Sequence, residues 1–255
     1  SLKADRTDPA DITAGNVLNT VVNSFLGTTI MADGEVIGTI ADVGTDDLFI
    51  IAPTVSGGEY VTRGDVIIKS TASAAGEGDV IGISVDAGGS FYVDTGANAA
   101  LQDKDVLGAM IDAGENVAIG VQITVDESNP LLPRASVVTD PDSVLFGDLV
   151  AGEAMNLIGL DINAGGWVLL NANLEIDGTH VTAVGDIDAN AGTGIVNTSL
   201  VSVAGNIWAT TLLGDIVDSS FVTKSDTGTI TLEALDDDGE LDGDEVVSGA
   251  KVIAH

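Results

Sequence analysis

The densest run of potential ligands in the chain is Asp236-Asp237-Asp238-Gly239-Glu240-Leu241-Asp242-Gly243-Asp244-Glu245, in which seven residues are acidic. Calcium prefers several carboxylate oxygens on a loop that glycine allows to turn sharply. Counted from Asp238, the spacing begins like an EF-hand loop, but Gly249 stands where the closing bidentate glutamate would be. We predict a Ca²⁺ site whose ligands are Asp236, Asp238, Glu240, Asp242 and Asp244. The alternative is a solvated acidic loop that binds no ion.

No other group of residues in the sequence has the spacing of a catalytic site. The two histidines, His180 and His255, have no partner at metal-ligand spacing, cysteine is absent, and no Gly-x-Ser-x-Gly elbow occurs. Trp167 and Trp208 could stack on a sugar, or instead fill the core or an interface. We therefore predict that the protein is not an enzyme.

The charge balance limits the classes of partner. The chain has 8 Lys and Arg against 40 Asp and Glu, for a net charge of −32. Binding to nucleic acid or to an anionic membrane surface needs basic residues, so both are disfavoured. The apolar runs are also much shorter than a membrane span. We predict no nucleic-acid partner, no membrane insertion, and a surface that attracts cations.

A repeat in the C-terminal half indicates how the chain is built. Gly165, Gly185 and Gly205 are 20 residues apart, so residues 161–180, 181–200 and 201–220 look like three copies of one unit. A period near 20 residues is typical of stacked repeats. It fits one coil of a β-solenoid, with about three short strands in each coil and the glycines stacked at one corner. An antiparallel sheet of similar hairpins is the alternative.

The N-terminal half carries a less regular signal. Its recurring phrase is a glycine or lysine, an acid, then β-branched residues, as in Gly34-Glu35-Val36, Gly64-Asp65-Val66 and Lys104-Asp105-Val106. A Gly-acid pair favours a turn that leads into a strand. Because the intervals vary, this half could be sandwich-like or a less regular solenoid. For residues 13–29, a short helix and a strand pair remain open.

These patterns divide the chain into five segments. Three of the five prolines lie in residues 126–142 and mark a boundary. The five segments are residues 1–12, an extended arm; 13–128, a β-rich domain; 129–143, a junction; 144–234, solenoid repeats; and 235–255, an acidic loop with a terminal strand. The terminal strand could be free to pair with a neighbouring molecule, or it could fold back on its own domain. The fold class predicted is all-β, with a β-solenoid (parallel β-helix) in the C-terminal half.

The repeats resemble those of known surface proteins. Val201-Ser202-Val203-Ala204-Gly205-Asn206-Ile207-Trp208-Ala209, followed by Thr227-Gly228-Thr229-Ile230-Thr231-Leu232, is similar to the repeats of filamentous-haemagglutinin-type proteins and of prokaryotic surface-layer and sheath proteins. The resemblance covers residues 160–234. The first family implies a right-handed parallel β-helix, secretion, and adhesion or extracellular scaffolding.

The repeat architecture, the open strand edges and the lack of a catalytic group favour a structural role. We predict an extracellular or cell-surface protein that assembles with copies of itself into a filament, sheath or surface lattice, with cations screening its acidic surface. The alternative is an adhesin or carbohydrate-binding β-helix module.

Overall fold

The computed structural model describes residues 2–3, 10–71, 78–96, 104–126, 134–137, 154–235 and 247–254. Every regular element in this part of the chain is a β-strand. Among the described residues, no helix is long and apolar enough to span a membrane.

The strands are short, as expected for a chain rich in β-branched residues and turn-forming glycine. In chain order they are β1 (Leu2–Lys3), β2 (Ala10–Ala14), β3 (Val17–Leu18), β4 (Val21–Ser24), β5 (Thr28–Ala32), β6 (Glu35–Val43), β7 (Leu48–Ala52), β8 (Thr54–Thr62), β9 (Val66–Ser70), β10 (Val80–Ala87), β11 (Phe91–Asp94), β12 (Val106–Leu107), β13 (Met110–Ala113), β14 (Val117–Ile119), β15 (Ile123–Asp126), β16 (Arg134–Val137), β17 (Leu157–Ile158), β18 (Asp161–Ala164), β19 (Val168–Ala172), β20 (Glu175–Asp177), β21 (His180–Ala183), β22 (Ile187–Ala191), β23 (Gly194–Val196), β24 (Ser199–Ser202), β25 (Ile207–Thr211), β26 (Asp215–Val217), β27 (Ser220–Thr223), β28 (Ile230–Ala234), β29 (Val247–Ser248) and β30 (Lys251–Ala254).

Two long parallel sheets form a β-solenoid, so the predicted fold class is confirmed. One sheet has ten strands and runs from β2 to β28; we call it sheet B. The other has 18 strands, and we call it sheet A. Each coil contributes one strand to sheet B and then either a short and a longer strand to sheet A or, in β6, β8 and β10, one long strand. Residues 161–180, 181–200 and 201–220 contain three strands each, as predicted. Parallel pairing excludes the antiparallel alternative for the repeats.

The core consists of columns in which equivalent residues of successive coils stack. Alternate residues of each strand point inward, which produces burial patterns such as that of β21, exposed–buried–exposed–buried. One column of sheet A contains only branched aliphatic residues and runs the length of the solenoid. Its members are Val17, Val36, Val55, Val80, Val106, Leu157, Ile176, Ile195, Ile216 and Val247.

A left-handed residue lies between the two sheet A strands of a coil, or within the single long strand in β6, β8 and β10. Glycine is frequent there, for example Gly178 with φ of 58°, because L-residues with a Cβ rarely adopt positive φ. The other occupants are Asn or Asp, such as Asn197 with φ of 49° and Asp218 with φ of 50°. Gly159, Gly178 and Asn197 follow one another at intervals of 19 residues, which is the basic length of a coil.

Side-chain ladders stabilise the corners between strands. The Oδ1 atom of Asp105 accepts hydrogen bonds from the backbone N and Nδ2 of Asn156 in the next coil, at 3.1 and 2.9 Å. At the corner before sheet B, Asp186 Oδ1 accepts from Asn206 N at 2.6 Å. The acids of the Gly-acid phrase therefore satisfy backbone donors where the chain turns. This second corner contains Gly165, Gly185 and Gly205. The backbone N–H of Gly185 donates to the carbonyl O of Gly166, which is one residue away from Gly165, the partner that the repeat predicted.

The strands of the N-terminal half up to β14 belong to the same two sheets as the repeats, whereas β15 and β16 form a separate antiparallel hairpin. Because β12, β13 and β14 pair with β17, β18 and β19, the solenoid alternative describes the strands of residues 13–119. Residues 13–29 contain strands rather than a helix, and β1 and the start of β2 place part of the expected arm in the sheets. Long connections follow β9, β11, β14 and β28, always at the corner between sheet B and sheet A. These additions explain the irregular sequence intervals.

The terminal strand is not detached: of the two alternatives, it folds back on its own domain. β30 pairs in parallel with β27, and β29 pairs with β26. Residues 247–254 therefore continue sheet A as part of the last coil. The reason is register: Val252 lies beside Phe221 and Val247 beside Ile216, so both valines extend existing core columns.

Candidate functional site

The predicted calcium ligands Asp236, Asp238, Glu240, Asp242 and Asp244 lie outside the described residues. Calcium binding by this loop therefore stays a prediction. Within the described part of the chain, no group of three or more His, Cys, Asp or Glu residues is arranged to hold a metal ion.

An acidic groove lies on the outer face of sheet A. Its volume is about 380 Å³, and its lining includes Glu59, Asp86, Asp112 and Asp161. Asp86 and Asp112 are direct neighbours on β10 and β13. Like charges at this distance repel each other, so this side of the solenoid disfavours contact with another acidic molecule.

A buried polar cluster lies at the corner that carries the long connections. The carboxylate of Asp94, which is 4% exposed, accepts hydrogen bonds from Ile123 N at 2.9 Å and Gly96 N at 2.7 Å. Lys69 Nζ is 3.8 Å from Asp94 Oδ2 and donates to Ile123 O at 2.6 Å. Lys104 is fully buried and donates to Gly96 O at 2.6 Å.

Burial shifts the pKa values of this polar cluster. It raises the pKa of Asp94, and the hydrogen bonds from Ile123 and Gly96 and the charges of Lys69 and Lys104 act against that shift. Burial likewise lowers the pKa of Lys104, and the charge of Asp94 opposes the change. The cluster joins β9 and β11 to the start of β15, so its main contribution is to fix the β15–β16 hairpin on the solenoid.

The start of the hairpin contacts an apolar strip on the outer face of sheet B. The strip contains Phe49, Ile67, Ala118 and Leu169, and Val121 and Ile123 pack on it, with Tyr92 and Trp167 against the same cluster. Ile123, from β15, is 1% exposed. An outward-facing apolar ladder is thus partly covered by the segment that is inserted after β14, between the sheet B and sheet A strands of one coil. Trp167 belongs to this packing, as one of the sequence alternatives expected.

Trp208 lies on the same outer face but in a more polar setting. It pairs in register with Asp188, and Asn190 Nδ2 donates to Asp188 Oδ1 at 3.0 Å. Burial raises the pKa of Asp188 to about 6, and the hydrogen bond from Asn190 lowers it. Trp208 and Trp167 are not equivalent, because Trp167 precedes Val168 whereas Trp208 follows the matching residue Ile207.

The C-terminal end of the solenoid leaves its core columns uncovered. Val247 is 44% exposed and Val252 is 50% exposed, although both occupy inward positions. Ile230 and Leu232 of β28 are only partly buried against the core. At the other end, Ile12 of β2 is likewise only partly buried, but Val17 is 3% exposed and Val22 is fully buried. The two ends therefore differ in sheet A, whose core columns are covered at one end and open at the other.

Open strand edges were expected from the sequence, but the polar cluster and the burial of Asp188 were missed. A signal for the polar cluster exists, since Lys69 and Lys104 are two of only 8 basic residues and flank the long connections. For Asp188 no local signal exists, because its burial depends on the neighbouring coil. No protein-family model, curated protein or solved structure matches this chain.

Proposed function

We propose that the protein is an extracellular or cell-surface structural protein that assembles with copies of itself, end to end, into a filament, sheath or surface lattice. The observation that carries this proposal is the open C-terminal coil, where Val247 and Val252 are exposed at core positions. Edge strands with free backbone groups and apolar side chains are templates for pairing with another chain. The extracellular location is supported only by the resemblance of residues 160–234 to surface-protein repeats.

The ends are better suited to self-association than the sides. The groove on sheet A carries Glu59, Asp86, Asp112 and Asp161, and the whole chain has a net charge of −32. Repulsion between copies decreases when salt shortens the Debye length to about 8 Å at physiological ionic strength. Assembly therefore requires salt or divalent cations.

Negative-stain electron microscopy and sedimentation velocity at low and high NaCl test this proposal. We expect single particles at low salt and linear assemblies at high salt. Val252→Asp places a charge at the open end and should abolish assembly, whereas Val222→Asp, on the outer face of β27, should leave it intact. Assembly that is equally sensitive to both substitutions would argue for lateral contacts.

The acidic loop adds a calcium-dependent component to this proposal. Binding of Ca²⁺ by Asp236, Asp238, Glu240, Asp242 and Asp244 would remove repulsion between the carboxylates of this loop. Isothermal titration with Ca²⁺, compared with the Asp238→Asn/Asp242→Asn variant, tests it directly. Equal heats for the two proteins would eliminate the site.

A second candidate function is binding of carbohydrate on the outer face of sheet B. The half-buried Trp208 ring beside Asp188 and Asn190 combines a stacking surface with hydrogen-bonding groups, as in small polar-ligand sites. A glycan array is the test, with Trp208→Ala as the variant and Trp167→Ala as the control. Retention of every hit by Trp208→Ala would move the site elsewhere.

A further inference from the structure

The edges at the two ends of the solenoid belong to the same columns. In sheet B, the column that starts with Ile12 at β2 ends with Leu232 at β28, and each step between them is a parallel pair. In sheet A, Val17 at β3 and Val247 at β29 are the two ends of the aliphatic column described above. A second copy placed on the open end therefore continues each column with a residue of the same kind.

One strand interrupts this continuity. β1 pairs in parallel with β4, with Leu2 beside Val22 and Lys3 beside Asn23. β1 therefore lies on the outer side of the first complete coil, which consists of β2, β3 and β4. At the other end, β30 is the last sheet A strand of the last coil, and its Val252 lies beside Phe221. In a head-to-tail stack, β1 of one copy and β30 of the other would therefore occupy the same position on β4.

We propose that β30 of one copy displaces β1 of the next and pairs with its β4, so that Val252 lies beside Val22 and Ile253 beside Asn23. In the same contact β28 pairs with β2, and β29 pairs with β3. This inference rests on the proposed end-to-end assembly and defines its register. Both sheets then continue from copy to copy without a gap, and β1 is a removable cap of the covered end.

Burial of apolar surface favours the exchange. In the described part of the chain, β1 pairs with Val22 and Asn23 of β4. β30 is four residues long and already pairs along its whole length with the four residues of β27. Replacing β1 by β30 thus gives all four residues of β4 a partner and removes the half-exposed Val252 from water.

Charge also identifies the partner as a second copy. The register places Glu233 beside Thr13, Thr231 beside Asp11, and Lys251 beside Val21. No two like charges are therefore direct neighbours in these pairs. In contrast, Asp86 and Asp112 are adjacent on the outer face of sheet A. A head-to-tail contact therefore meets less like-charge repulsion than a contact through the outer face of sheet A.

Disulfide trapping tests the register, because the chain contains no cysteine. Asn23→Cys and Ile253→Cys are combined in one protein; the two positions face outward and are separated by the length of the solenoid within one copy. Neighbouring positions on paired strands satisfy the Cα separation of about 4.4–6.8 Å that a disulfide needs. Under oxidation at high salt, we expect a ladder of covalent multimers. The matched control, Val21→Cys with Ile253→Cys, is two residues out of register and should not give one.

The outcomes separate this inference from the proposed function. Linear assemblies in the microscope without a disulfide ladder would overturn the register and leave end-to-end assembly standing. Absence of assemblies at any salt concentration would overturn both. Covalent dimers of the single Ile253→Cys variant would show a symmetric contact between two C-terminal ends and contradict the head-to-tail arrangement.

Removal of residues 1–3 tests the displacement of β1. If β1 occupies the position that β30 needs, the shortened protein should assemble several-fold faster than the full chain, with the same disulfide ladder in the double-cysteine background. Slower assembly, or an unchanged rate, would contradict the role of β1 as a cap. Light scattering after a salt jump measures the rate.

Discussion

At the scale of single residues, corner carboxylates act mainly as hydrogen-bond acceptors. Asp105 accepts two hydrogen bonds from Asn156 of the next coil. Asp105→Ala leaves the Asn156 backbone N–H without this partner, and we expect a loss of about 1–2 kcal/mol in the free energy of unfolding. Asp105→Asn keeps the Oδ1 acceptor and should stay within about 0.5 kcal/mol of the original protein. Urea unfolding measures both; equal losses would indicate that the charge matters instead.

Asp188 differs from the corner carboxylates, because its negative charge destabilises the folded protein. Burial raises its pKa to about 6, above the ordinary value of 3.8, so the folded state binds a proton more tightly than the unfolded state. The resulting penalty is absent below about pH 4, grows as pH rises to about 6, and is complete at pH 7. Asp188→Asn should therefore stabilise the protein by roughly 1–3 kcal/mol at pH 7 and very little at pH 4.

Urea unfolding at the two pH values measures this difference. The control is Asp186→Asn, which removes the same charge at an exposed position of the same coil and keeps an oxygen for Asn206. A gain from Asp188→Asn that is as large at pH 4 as at pH 7 would contradict the role assigned to burial.

At the scale of elements, the left-handed residue between the two sheet A strands determines where each coil bends. Gly178 has φ of 58°, and a Cβ added there would approach no atom closer than 4.0 Å. Gly178→Ala should therefore cost about 1–2 kcal/mol for backbone conformation alone. Gly194 does not have a positive φ, and its added Cβ would have ordinary contacts from 3.5 Å. Gly194→Ala is the matched control and should not destabilise; thermal unfolding compares them.

The β15–β16 hairpin depends on Asp94 for its attachment. Asp94→Ala removes the acceptor of the Ile123 N–H. It also removes the negative charge that interacts favourably with the buried Lys104. Hydrogen exchange of Ile123 should become about 10- to 100-fold faster, since one buried, charge-assisted hydrogen bond is lost. Exchange in β19 and β22 should not change. Asp86→Ala, at an exposed position, is the control, and a uniform increase across all strands would point to global destabilisation instead.

Particular residues explain what could and could not be foreseen from the sequence. Gly165, Gly185 and Gly205 revealed the coil because nothing is inserted between β18 and β26, and each coil there has nearly the same length. The N-terminal half has the same core columns, but connections after β9, β11 and β14 change the sequence interval while the strand register stays constant. The sequence could not decide whether Val252 belongs to a free strand, because its pairing with Phe221 depends on the register across a long connection. The burial of Lys104 and Asp188 likewise depends on neighbouring coils.

At the scale of the whole molecule, the solenoid combines a continuous apolar interior with a strongly acidic exterior. Every coil is stabilised by the next one, and the last coil has no successor among the described residues. The chain has 40 acidic residues against 8 basic ones, so copies of the molecule repel each other. In the proposed assembly, apolar core positions at the ends attract and carboxylates on the sides repel.

The most direct test of this account is the axial repeat of the assemblies formed at high salt. Sheet B has ten strands per copy, and parallel strands are about 4.8 Å apart, so head-to-tail stacking predicts a repeat of about 48 Å. Fibre diffraction of aligned assemblies should show this repeat together with a meridional reflection near 4.8 Å. Particles that remain single at every salt and Ca²⁺ concentration, or assemblies whose strands lie parallel to the long axis, would contradict it.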